Sequence, residues 1–210
     1  MLLCDIGNTT ATFYQNRKIW SYKIDEFRAW QPKETIYYIN VNDNLSDKLK
    51  NPMFIDIQKQ INFNTTYIGL GVDRAAACYS IDTGLVVDAG SAITMDVMSN
   101  GFHLGGFIMP GITTTLNSLK AISSRLNQTL NSQIDLECLP QKTNDAISYG
   151  VVKPIILLVE QLSNEKPIYF TGGDGEFLSR FFKNSIYDRA LVFRGMEKAI
   201  NENKEMFCLQ

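Results

Sequence analysis

One pattern constrains the fold more than any other, because it occurs twice. Met1-Leu2-Leu3-Cys4-Asp5-Ile6-Gly7-Asn8-Thr9-Thr10-Ala11-Thr12 and Leu85-Val86-Val87-Asp88-Ala89-Gly90-Ser91-Ala92-Ile93-Thr94-Met95-Asp96 each read as an apolar strand, an Asp-x-Gly turn, small or hydroxylated residues and a second strand. The two aspartates stand 83 residues apart. Repetition of this kind decides architecture before any single motif does. In each copy a buried strand carries an aspartate to its end, and the glycine allows a tight turn where a side chain would obstruct a ligand. A chain of 210 residues can form one large domain or two small ones that share a packed interface. The expectation is two similar halves, residues 1–80 and 81–210, with the two aspartates facing one cleft.

The rest of the chain fits strands followed by helices, twice over, which is the pattern of an α/β fold. Ile36 to Asn40 reads as a strand, and Asn44 to Gln60 as a helix with its flanks. The alanine-rich stretch after Asp73 predicts a helix ending before Thr83-Gly84. Gly105 to Gly111 reads as a strand entering a turn, and Thr113 to Leu126 and Asn144 to Gln161 as helices, the second interrupted or bent at Pro154. Pro167 to Phe170 predicts a short strand stopping at Thr171-Gly172-Gly173, and Gly195 to Lys204 a terminal helix.

Counting narrows the chemistry. The single histidine, His103, removes any mechanism or metal site that needs two imidazoles, so carboxylates must carry the acid–base work. His103 itself reads as a loop or packing residue. Cys4, Cys78, Cys138 and Cys208 offer no metal spacing and read as reduced, buried thiols. The balance of 20 basic against 22 acidic residues, with no Lys/Arg cluster, argues against nucleic acid. The longest aliphatic run, Ile155 to Val159, is far below a membrane span, so the expected location is the cytoplasm. Tyr14, Trp20, Trp30 and Phe181-Phe182 read as core or interface aromatics.

Three stretches could carry a reaction. Asp5 to Thr10 supplies backbone donors and hydroxyls at a strand end, the equipment for holding a phosphate, although an ordinary Gly-Asn hairpin has the same residues. Gly69-Leu70-Gly71-Val72-Asp73-Arg74 sets an acid beside a guanidinium at a helix start, able to take a proton and to fork onto an oxyanion, or simply to begin a helix. Thr171-Gly172-Gly173-Asp174-Gly175 has the bare backbone on which a flat ring can lie, or is a plain connection. Neither GxxxxGK[ST] nor GxGxxG occurs, so P-loop and dinucleotide-binding readings find no support.

In this order the motifs resemble the type III pantothenate kinases, within the acetate/sugar kinase and actin-like ATPase superfamily. The resemblance rests on Asp5-Ile6-Gly7-Asn8-Thr9, Gly71-Val72-Asp73-Arg74, Val87-Asp88-Ala89-Gly90-Ser91-Ala92-Ile93-Thr94, Gly105-Gly106-x-Ile108-x-Pro110-Gly111, Thr143 seven residues before Gly150, Thr171-Gly172-Gly173 and Arg194-Gly195-Met196. It implies an α/β fold of duplicated ribonuclease H-like, actin-like ATPase type with an interdomain cleft. It also implies a phosphotransferase that converts pantothenate to 4′-phosphopantothenate in coenzyme A biosynthesis, using ATP with Mg²⁺ and a monovalent cation, K⁺ or NH₄⁺, as a cytoplasmic homodimer.

By the same resemblance Asp5, Ile6, Gly7, Asn8, Thr9, Thr10, Ala11 and Thr12 would hold the ATP phosphates, with Asp5 organising Mg²⁺ through them. Ser91, where the family usually has threonine, would contact ATP together with Gly172 and Gly173. Asp73 would be the catalytic base. Gly71, Val72, Asp73, Arg74, Thr143 and, as the upstream tyrosine, Tyr67 would line the pantothenate site, while Asp88 would bind the monovalent cation. Three other readings compete: a non-catalytic regulator like an accessory transcription factor, a carboxylate-based two-metal nuclease, and a generic actin-like ATP-binding module.

Overall fold

The first apolar run forms β1 (Leu2–Ile6), and the chain turns at Gly7, whose N–H donates to the Thr10 carbonyl at 2.9 Å, to return as β2 (Thr10–Gln15). Residues 1–207 are described by a computed structural model. β3 (Lys18–Lys23), α1 (Ile24–Ala29), β4 (Ile36–Asn40), β5 (Phe54–Asp56), a two-residue β6 (Asn64–Thr65) and α2 (Val72–Tyr79) follow. The second copy opens with β7 (Gly84–Ala89), β8 (Ala92–Ser99) and β9 (Phe102–Pro110). Then come α3 (Ile112–Ile122), α4 (Thr143–Ser163), β10 (Ile168–Thr171), α5 (Gly175–Ser179), β11 (Ser185–Tyr187), α6 (Leu191–Glu202) and α7 (Lys204–Phe207).

Two units result. The first holds Met1–Asp82, Asn100–His103 and the described residues from Ala190 onward, and the second holds Thr83–Ser99 and Leu104–Arg189. The strand order β3-β2-β1-β4-β5 in the first is repeated as β9-β8-β7-β10-β11 in the second. β1 runs antiparallel to β2 and parallel to β4, and β4 parallel to β5; β7 likewise runs antiparallel to β8 and parallel to β10, and β10 parallel to β11. The likeness extends to the tight turns. Asn16-Arg17 after β2 and Asn100-Gly101 after β8 both have positive φ, 51° and 65° against 51° and 72°, the two-residue geometry that matches strand twist.

Each unit has its own core. In the first, Phe13 on β2 is fully buried and is ringed by Trp20, Tyr22, Phe27 and Trp30, with Cys4, Ile6 and Ile36 beneath. In the second, Leu85, Val87, Met95, Ile168 and Phe170 of the sheet meet Val151, Ile155 and Val159 of α4, which recur every fourth residue on one helix face. That stripe makes α4 a core helix, although its length and composition would also suit a membrane span. The first two residues of β9 belong to the first unit and pair with β6, Asn64 with Phe102 and Thr65 with His103.

Four sequence expectations are revised. Asn44 to Gln60 is not a helix; short 3₁₀ turns flank β5, because Asn42 Oδ1, Asn51 Oδ1 and Asp56 Oδ1 each accept the backbone N–H two residues on and divert the chain from helical bonding. α4 continues without interruption through Pro154, which is exposed on the same helix face as the exposed Gly150, the residue whose carbonyl loses its helical partner. The terminal helix α6 groups with the first unit, not with the second half. A Cβ on Gly195 would stand 1.8 Å from the Ala76 carbonyl oxygen, so α6 meets α2 backbone to backbone. Lys198 Nζ donates to the Tyr79 carbonyl at 3.0 Å, Tyr79 Oη donates to the Glu202 carboxylate, and Phe193 stacks on Tyr14. Cys4 and Cys78 are buried, but Cys138 is exposed; Cys208 lies outside the described residues.

Candidate active site

The β1–β2 turn is both a hairpin and a built loop. Asn42, 5% exposed, directs its side-chain amide at the carbonyls of Gly7 and Asn8, each at 3.4 Å, and the Ile24 N–H donates to the Thr9 carbonyl at 3.0 Å. Asn42 is itself held by Asn40, whose Oδ1 accepts the Asn42 N–H at 2.9 Å. In a trans peptide the N–H points opposite to the C=O, so with these three carbonyls taken by protein donors the N–H groups of Asn8, Thr9 and Thr10 face the other way. Asn8, Thr9 and Thr10 are exposed, and a run of successive backbone N–H groups in such a turn is the kind of arrangement that can hold an anion. Ile6 and Ala11 are fully buried, so of these two only the backbone can face a ligand. Thr12 pairs with Asp5 in register and its hydroxyl meets Ser21 Oγ at 3.1 Å. Asn40 and Asn42 were missed by sequence reasoning, since nothing local marks an asparagine 35 residues from the glycine it holds.

At the start of α2 the Asp73 carboxylate is half-buried, and its Oδ1 accepts the Arg74 N–H at 2.8 Å, one of the first-turn donors that a helix leaves unsatisfied. A Cβ on Gly71 would come within 2.6 Å of that Oδ1, which explains the glycine. Arg74 is 6% exposed. Its guanidinium lies 5.0 Å from the Tyr67 ring centre, and Nη1 donates to Tyr67 Oη at 3.4 Å, so a buried cation is covered by an aromatic face. Tyr67 is thereby brought to the Asp73-Arg74 pair.

In the second unit β7 and β10 run parallel with Asp88 opposite Thr171. Gly172, at φ +81°, lies so close that a Cβ there would stand 2.5 Å from both Asp88 Oδ1 and the Ala89 carbonyl oxygen. The Asp174 N–H donates to that Ala89 carbonyl at 2.9 Å. Ser91 is exposed, while its carbonyl accepts from the Gly111 N–H at 2.9 Å and from Thr114 Oγ1 at 2.6 Å. Asp88, Ser91, Gly172 and Gly173 therefore gather at one end of this sheet. Burial raises the Asp174 pKa above the usual carboxylate value, a feature that sequence alone left unmarked. Thr143 is the exposed first residue of α4 and makes no hydrogen bond to that group among the described residues.

Comparison with known proteins bears on this arrangement. A family model described as type III pantothenate kinase matches residues 40–165. The type III pantothenate kinase of Campylobacter jejuni is 51% identical over 207 residues, covering 98% of this chain and 99% of the relative. That of Campylobacter hominis is 52% identical over 201 residues, covering 95% and 98%. This chain belongs to the type III pantothenate kinase family. Membership of the type III pantothenate kinases makes it an enzyme of the kinase class. A solved Campylobacter jejuni structure, described as a candidate Baf family transcriptional activator, matches with a TM-score of 0.91 at 50% identity over 98% of this chain and 100% of that one. A Sinorhizobium meliloti structure described as a candidate 2-dehydro-3-deoxygalactonokinase matches with a TM-score of 0.59 at 7% identity over 96% of each chain, a likeness of fold alone. With the repeated strand order, that likeness makes the fold the duplicated ribonuclease H-like one. The names of the type III pantothenate kinase relatives do not favour the regulatory reading.

Proposed function

We propose that the chain transfers the γ-phosphoryl group of ATP to the primary hydroxyl of pantothenate, releasing ADP and 4′-phosphopantothenate, the first step of coenzyme A biosynthesis. The observation that carries this reading is the half-buried Asp73 carboxylate beside a buried Arg74 that Tyr67 covers, an acceptor next to a cation that can bind a carboxylate or oxyanion. Asp73 takes the hydroxyl proton as the hydroxyl oxygen attacks the γ-phosphorus in line and the bond to the β-phosphate oxygen breaks. An ordinary carboxylate suffices, because in a loose transition state the proton leaves late. Arg74, Gly71, Val72, Tyr67 and Thr143 hold pantothenate.

The loop from Asp5 to Thr12 cradles the phosphates through its backbone N–H groups, and Ser91, Gly172 and Gly173 contact the nucleotide. Asp5 offers hard oxygen donors that suit Mg²⁺ held mainly by the phosphates. The Asp88 carboxylate and the Ala89 carbonyl oxygen, crowded against Gly172, form an oxygen-only set that fits K⁺ or NH₄⁺. These cations offset the negative charge that aspartates and phosphates bring together. The reading includes a cytoplasmic homodimer. A hollow of about 480 Å³ on the second unit, lined by Met95, Val97, Leu104, Phe107 and Leu162, supports burial of that face by a second copy, as does the 55% exposure of Leu104. The test is ATP-dependent formation of 4′-phosphopantothenate with Mg²⁺ and K⁺ present; ADP release that does not depend on pantothenate would overturn the reading.

A further inference from the structure

His103 is fully buried and has no part in the chemistry described above. Its Nδ1 lies 2.8 Å from Thr65 Oγ1, and the same hydroxyl oxygen accepts the Tyr67 N–H at 3.0 Å. A threonine hydroxyl has one proton and two lone pairs, so it can donate to an unprotonated Nδ1 while accepting from Tyr67. The imidazole also meets the Tyr67 ring at 5.9 Å and the Phe63 ring at 6.0 Å between centres. Cys78 of α2 is a further neighbour, its sulfur within 4.8 Å of a ring nitrogen. Cys78 lies one helical turn after Arg74, on the same face of α2. His103 therefore meets the tyrosine, through Thr65 and through its ring, and stands near the helix face from which Arg74 projects.

We infer that Thr65 and His103 are positioning residues for acceptor recognition, acting together to hold Tyr67 against the Arg74 guanidinium. The inference rests on the reading that Tyr67 and Arg74 bind pantothenate. Without the Thr65 hydroxyl, the 65–67 segment loses the bond that fixes the Tyr67 backbone and its own bond to the His103 imidazole. The Tyr67 ring is then free to leave the guanidinium, and the loss falls on binding of the acceptor more than on the chemical step.

The test compares Thr65→Val, which keeps shape but removes the hydroxyl, with Thr65→Ser, which restores it. Losing two neutral hydrogen bonds should raise the KM for pantothenate on the order of tenfold in Thr65→Val, with kcat and the KM for ATP within about twofold of wild type. Thr65→Ser should return the pantothenate KM to near the wild-type value. In a Tyr67→Ala background Thr65→Val should add little, since its effect passes through Tyr67. Should Thr65→Val not fold, His103→Phe takes its place, keeping a ring but offering Thr65 no nitrogen, and the same split is expected. An unchanged pantothenate KM, an equal rise in the KM for ATP, or a Ser variant as impaired as the Val variant overturns the inference. Amide exchange at Tyr67 separates this from failure of the functional reading. If the wild-type protein does not phosphorylate pantothenate, faster exchange in Thr65→Val but not in Thr65→Ser still upholds the Thr65 clamp, and equal exchange in all three removes it.

Discussion

Replacing Gly195 by alanine is a small change with an outcome that the geometry dictates. In an isolated helix the substitution should stabilise by about 1 kcal/mol, because glycine is the poorer helix former. Here the new Cβ would stand 1.8 Å from the Ala76 carbonyl oxygen, 2.6 Å from its carbonyl carbon and 3.1 Å from its Cα. All three are backbone atoms of α2, so no side chain can swing aside. Relief requires α6 and α2 to separate by roughly 1.5 Å, which puts the strain near the upper end of the ~1–3 kcal/mol typical of overpacked cores. Subtracting the propensity gain leaves a net loss of about 2 kcal/mol, or a fall in Tm of roughly 4–8 °C for a chain of this size. Because α2 also carries Asp73 and Arg74, turnover should fall with the displacement. Differential scanning calorimetry of wild type and Gly195→Ala, with turnover measured well below either midpoint, decides the matter. A Tm equal to or above that of wild type would refute the backbone-to-backbone contact and the reasoning built on it.

Asp73→Asn keeps shape but not the proton acceptor, so kcat should fall on the order of 10²–10⁴-fold while ATP titrations stay unchanged; near-normal turnover in the folded variant removes Asp73 from the mechanism. Asp88→Asn should give a defect that diminishes as K⁺ is raised, and a defect indifferent to K⁺ counts against a cation at Asp88. Burial raises the Asp174 pKa, so between about pH 4, where a free carboxylate loses its proton, and the raised folded value, the folded state keeps a proton that the unfolded state has released. Stability from this group therefore falls as pH rises through that window. Asp174→Asn should melt above wild type at pH 7 and match it below about pH 4, where both carry a neutral side chain. Among the described cysteines, a thiol-reactive probe should label Cys138 rapidly and leave Cys4 and Cys78 untouched until the protein unfolds, as read by peptide mass spectrometry.

What the sequence revealed and what it concealed divide along the range of the forces involved. The β1–β2 and β7–β8 copies were legible because an apolar run, an acid and a glycine are consecutive, and α2 because its alanines are. The Asx turns between Asn42 and Asp56 carried a local signal, three Asn or Asp side chains able to cap the backbone two residues on, but the apolar spacing of that stretch suggested a helix. The clamp from Asn42 to the Gly7 carbonyl, the seat of Gly195 on Ala76 and the reach of Thr65 to His103 join residues far apart in the chain, and no period or motif announces such pairs. Gly195 was visible only as the start of a terminal helix and as part of Arg194-Gly195-Met196. Its physical reason appears once the helix it touches is known.

The path of the chain through its two units bears on biosynthesis. A ribosome releases strands β1 to β5 of the first unit before the second unit, yet α6, whose Gly195 seats on Ala76 of α2, is made after it. The second unit, Thr83–Ser99 and Leu104–Arg189, is complete before α6 emerges. The half that begins first is therefore the half that finishes last, reversing the usual order in which a nascent chain completes its N-terminal domain first. Until its closing helix arrives, the nascent first unit leaves the Ala76 side of α2 without the helix that packs on it.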